Sequence, residues 1–120
     1  MRDYTRIQTR YLRDPLPVRL GGLAANLARI KSASDHPANQ AAIVSMLDES
    51  KHFIEWTAAE AEAEVAAELV ELQVQLARWQ RQSVTIWADP AQRLAMAEGA
   101  KRWSDRILDL SGLLKEESLV

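Results

Sequence analysis

The pattern closest to a catalytic site in this sequence is Glu49-Ser50-Lys51-His52. A glutamate followed three residues later by a histidine places both side chains on one helical face, the ligand pair of carboxylate-bridged di-iron bundles. Such a centre needs a second Glu-x-x-His and two further inward-facing glutamates. Here the motif occurs once, and the other histidine, His36, stands beside Pro37 in a predicted connection. Glu49 and His52 thus define a carboxylate/histidine metal-binding reading that is short of ligands, and the expectation is no metal and no cofactor. Nucleophilic catalysis has less to stand on. The chain has no cysteine, no Gly-x-Ser-x-Gly, and no serine placed as a partner for His52. Gly21-Gly22 lacks the Gly-x-Gly-x-x-Gly spacing and follows no predicted strand, so a phosphate cradle is not expected. A non-enzyme is the expected class.

Two other patterns point to binding. Arg2, Arg6, Arg10 and Arg13 recur at steps of 4, 4 and 3, alongside Tyr4 and Tyr11. Such a face suits phosphates or an anionic membrane surface. Against this, the chain as a whole carries a net charge of −2 with a pI of about 5.7, and the segment is short. Nucleic acid is therefore disfavoured, and the helix is expected to dock on the rest through Tyr4, Ile7, Tyr11 and Leu12. Charge is unevenly placed: residues 1–31 sum to +5, residues 35–71 to −8 and residues 78–106 to +3. Of the four tryptophans, Trp79 and Trp103 fall on apolar seams and are expected in the core. Trp56 and Trp87 fall at helix ends, where they either face a partner or plug the ends of the fold. Arg2, Arg6, Arg10, Arg13, Trp56 and Trp87 are the candidate partner-binding residues.

The elements that must position these groups are helices. Val65, Leu69, Leu72, Leu76, Trp79, Ser83 and Ile86 follow at steps of 4, 3, 4, 3, 4 and 3, an apolar seam interrupted only by Ser83. It predicts one helix from about Thr57 to Trp87. Thr57-Ala58-Ala59-Glu60 reads as a capping box that separates it from a preceding helix over about 37–56. Asp14 and Asp35, each shortly before a proline, read as caps of helices over about 15–32 and 37–56, and Asp89 before Pro90 as the cap of a last helix to about Ser111. Within the first of these, Gly21 and Gly22 cost roughly 1 kcal/mol each against alanine. Together with Ala24, Ala25 and Ala28 they suggest a close helix crossing. The last helix carries Met96, Ala100, Trp103, Ile107, Leu110 and Leu114 as its seam, with Gly112 as its C-cap.

With 120 residues the chain is one domain, 1–120, large enough for a core without staples. The expected fold is all-α: an up-down-up-down four-helix bundle over 15–114, preceded by a short N-terminal amphipathic helix over 1–13 and followed by a frayed tail at 115–120. No apolar run approaches the ~18 residues of a membrane span. Met1-Arg2-Asp3-Tyr4 lacks a signal-peptide core, so a cytoplasmic location is expected. Three stretches carry a resemblance: Asp14-Pro15-Leu16-Pro17-Val18-Arg19-Leu20-Gly21-Gly22-Leu23-Ala24, Phe53-Ile54-Glu55-Trp56-Thr57 and Ser111-Gly112-Leu113-Leu114. In these the chain resembles small helical proteins of unknown function from cyanobacteria, a likeness that implies a cytoplasmic protein and brings no catalytic or binding motif. The function expected is a protein–protein interaction module that binds a protein partner or itself as a homodimer.

Overall fold

A computed structural model describes residues 3–113; Arg2, Leu114 and the expected frayed tail at 115–120 lie outside the described residues. Among the described residues the secondary structure is helical, without strands. The helices are α1 (Thr5–Leu12), α2 (Leu16–Ala33), α3 (Gln40–Thr57), α4 (Ala63–Arg81), α5 (Ser83–Ala88) and α6 (Pro90–Ser111), with single 3-10 turns at Pro37–Asn39 and Ala58–Glu60.

Local signals account for most boundaries. Asp89 caps α6, its Oδ1 accepting the Ala91 amide at 2.9 Å, and Gly112 ends α6 at φ 78°, the left-handed region that glycine tolerates best. Asp14 and Asp35 do not cap. Pro15 and His36 hold those positions without a side-chain cap, and Asp14 instead offers its carbonyl to Arg19 Nε at 2.8 Å. The break after α3 is real, but the capping box is not formed. Thr57 is the last residue of α3 and fully buried. Glu60 is taken by the Arg19 guanidinium, at 2.6 and 3.3 Å. A charge-assisted pair outcompetes a backbone amide for the same carboxylate.

Leu69, Leu72, Leu76 and Trp79 are buried on α4 and Ile86 on α5, as the seam requires. The helix does not run on to Trp87, however; it breaks at Gln82, beside Ser83, into α4 and α5. Beyond the break, Ile86 and its neighbour Trp87 are both buried.

α2 runs unbroken through Gly21-Gly22. Its contact with α6 is the most extensive between any two elements. Ser104 Oγ donates to the Ala24 carbonyl at 2.7 Å, which needs close approach of the two backbones. A Cβ on Gly21 would lie 2.9 Å from Leu113 Cδ1. Ala25 and Ala28 are exposed and take no part.

The seam of α6 differs from expectation. Ala97, Ala100, Ser104, Ile107 and Ser111, at steps of 3, 4, 3 and 4, form the buried row, while Trp103 and Leu110 are only half-buried. Small residues win the α2-facing side because they admit the closer approach, and the bulky ones are turned toward the flank. α3 packs on α2 and on α4, whereas α4 and α6 barely touch. Where the expected bundle would be closed, a gap runs between those two helices.

Candidate docking groove between α4 and α6

The gap is a groove of about 550 Å³. It is flanked by residues 68–82 of the α4 side and 92–106 of α6, roughly 21 Å of helix at 1.5 Å per residue. At one end Arg106 reaches across to Glu68, at 2.6 and 2.7 Å, and closes it. At the other end lie Gln82 and Ile86. Trp79 and Met96, both nearly buried, line it with Trp103. Trp79 rests directly on Gly99, where an added Cβ would stand 2.9 Å from Cζ2 of the indole. Gly99 is thus required by packing: the ring occupies the space a side chain would take.

Arg78 and Arg102 line the groove from its two helices. Both are exposed and, among the described residues, neither forms an ion pair. Arg102 Nη2 lies 3.8 Å from the Cβ position of Gly99, so its guanidinium hangs over the groove. With Arg106 already engaged by Glu68, two guanidiniums stand beside two indoles and the amides of Gln75, Gln82 and Gln92. A volume between 300 and 1,000 Å³ with apolar and polar groups mixed is the usual make-up of a binding cleft. Among the described residues that line the groove there is no histidine, cysteine or serine, and the one carboxylate, Glu68, is held by Arg106.

The sequence carries a sign of this site: an Arg-Trp pair occurs twice, Arg78-Trp79 and Arg102-Trp103. Adjacent positions on a helix lie about 100° apart, so an exposed arginine beside a buried or half-buried tryptophan marks the edge between core and solvent. Two such edges on neighbouring helices frame a groove.

The residues singled out from sequence sit elsewhere. Arg6 and Arg10 on α1, and Arg13 just after it, are exposed and form no ion pair among the described residues. α1 docks on α3 by its other face. Tyr4 stacks on His52 with centroids 4.0 Å apart and donates its hydroxyl to Asp48 at 2.7 Å. Tyr11 stacks on Phe53 at 4.2 Å and donates to the Arg19 carbonyl at 2.7 Å. Burial pushes the Tyr11 hydroxyl pKa up to about 12. Ile7 packs against the core, while Leu12 stays exposed.

Burial alone would raise the Asp48 carboxyl, but hydrogen bonds from Tyr4 and Gln80 and the nearby His52 and Lys51 outweigh it and hold it below the ordinary range. Trp56 is half-buried within 6.2 Å of Tyr4, Tyr11, His52 and Phe53. Trp87 is 9% exposed. Its Nε1 donates to the Pro37 carbonyl at 2.6 Å and the Arg93 guanidinium lies 5.4 Å from its ring. Both indoles are thus occupied by intramolecular packing.

Glu49 and His52 are drawn to different neighbours. Glu49 lines a recess of about 310 Å³ with Arg10 and Arg29, and His52 is held by Tyr4 and by the Asp48 carbonyl at 2.9 Å. Among the described residues no three His, Asp or Glu side chains converge where a metal ion could sit. No helix among them is long and apolar enough to cross a membrane. Comparison with protein-family models, with curated proteins and with solved structures finds no match to this chain.

Proposed function

We propose that the chain is a non-enzymatic helical interaction module, in which α2, α3, α4 and α6 run up-down-up-down and the open side between α4 and α6 is the docking surface for a protein partner. One observation carries the reading: the groove of about 550 Å³ sets Trp79, Met96 and Trp103 beside the two arginines Arg78 and Arg102. Tryptophan and arginine are the residues most enriched at interface hot spots. A groove between two helices is also the standard seat for a third. Affinity purification from the native cell tests this, with wild type beside the double variant Arg78→Glu/Arg102→Glu. A near-stoichiometric partner held by the wild type and lost by the variant is the expected result. The same proteins on both, or none on either, overturns it.

Self-association is a second form of this reading, favoured by the outward face of α4. Val70 and Val74 are 53% and 48% exposed there, next to Glu64 and Glu71 toward one end and Arg78 and Arg81 toward the other. Two copies crossing in opposite directions would match these charges. Light scattering at low and high salt decides it: a monomer at both removes this form.

A further inference from the structure

The groove's charge and shape say which partner fits. Its walls contribute Arg78, Arg102 and Arg106 against Glu68 alone, a local excess of two positive charges on a chain whose net charge is −2. Glu68 is already bound by Arg106, so Arg78 and Arg102 are what a ligand meets. They approach from opposite walls, one on α4 and one on α6. A volume of about 550 Å³ drawn out over roughly 21 Å is about one side chain wide. It accepts a row of side chains and leaves the bearer's backbone outside. An α-helix presents such a row at i, i+4, i+7, i+11 and i+14, roughly 21 Å over about four turns, the length of the groove.

We infer that the groove takes an acidic amphipathic helix of a partner protein, its large apolar side chains entering between Trp79 and Met96 and its flanking carboxylates pairing with Arg78 and Arg102. This rests on the groove being a protein-docking surface, as proposed above. A second copy of the chain is the poorer occupant, because its outward row on α4, Ala67, Val70 and Val74, is too short-chained to fill the space. Fixed charges of one sign on two walls set both the partner's charge and its register.

The test is a displayed library of four-turn helical peptides, with Leu, Met, Phe or Ala at the row positions and Glu, Lys or Gln at the flanks, selected on the full-length chain. The expected result is enrichment of Glu at the flanks and of large residues in the row. Binding of the selected peptides should fall about tenfold in Arg78→Glu/Arg102→Glu and weaken with added salt. Both arginines are exposed, so the variant keeps its fold, which a circular-dichroism melt verifies. Enrichment of Lys or of uncharged flanks, with the peptides still displaced by filling the groove through Ala95→Trp, overturns the acidic partner but leaves the docking surface standing. No enrichment at all, or binders indifferent to Ala95→Trp, overturns both. A wild-type dimer that Arg78→Glu/Arg102→Glu dissociates overturns the inference in favour of a second copy.

Discussion

α6 has two neighbours and treats them differently. Toward α2 it turns Ala97, Ala100, Ser104, Ile107 and Ser111, and the helices come close enough for a serine hydroxyl to reach a backbone carbonyl at 2.7 Å. Toward α4 it turns Gln92, Ala95, Arg102 and Trp103, and the two helices stay apart except for the Trp79–Gly99 contact and the Arg106–Glu68 pair. Small side chains let backbones approach; long and ring-bearing ones hold them off. Along one helix, residue size thus separates a closely packed side from an open one.

That contrast is breakable by one methylene-rich substitution on each side. Ala100 is fully buried, and Ala100→Leu should cost about 3 kcal/mol, because a close-packed interface cannot yield space. Ala95 is exposed in the groove, and Ala95→Leu should stay within about 0.5 kcal/mol of wild type. Urea denaturation of the two variants measures this, and equal losses would mean that the two sides are equally packed.

The closed half also answers to pH. The Tyr11 hydroxyl is buried under α1, with its pKa raised to about 12 from the ordinary 10.0. The folded state keeps the proton after the unfolded chain has released it. Stability from this group is therefore complete below pH 10 and is lost as pH rises toward 12, by on the order of 2 to 3 kcal/mol. Urea midpoints between pH 9 and 12 should fall more steeply for wild type than for Tyr11→Phe; parallel curves would show that Tyr11 is not shielded.

Gly99 joins the two halves. In Gly99→Ala the gain in helix propensity, about 1 kcal/mol, is opposed by a methyl 2.9 Å from the Trp79 ring, which is rigid. The expected net loss is about 1 kcal/mol, with a red shift in tryptophan emission as Trp79 swings into the groove. A more stable protein with unchanged emission would show that the ring does not rest there. The smallest effect is expected at the groove's end. Arg106→Ala removes a surface pair whose arginine is exposed to water and whose glutamate is half-buried, so the melting temperature should move by little. Peptide binding should nevertheless respond, because Glu68 is then unmasked.

Much of the helical layout was legible residue by residue. Asp89-Pro90 and Gly112 mark the ends of α6 through bonds made within a few residues, and the period of Leu69, Leu72, Leu76 and Trp79 names the inner face of α4. The capping box at Thr57 was misread because its glutamate answers to Arg19, forty-one positions away in sequence. The seam of α6 was misread because hydrophobicity favoured Trp103 and Leu110, whereas close packing against α2 selected Ser104 and Ser111. The groove was missed for the same reason, since Trp79 and Trp103 read as core when each helix is taken alone.

By itself the sequence determined the all-helical class and most of the breaks, because capping, proline and glycine effects and periodicity act over a few residues. Which face of α6 is buried, that Arg19 holds Glu60, and that α4 and α6 stand apart with two arginines between them were decided by tertiary structure. Each depends on the fit of two surfaces distant in the chain, and a period read along one helix carries no information about the size of the side chains facing it.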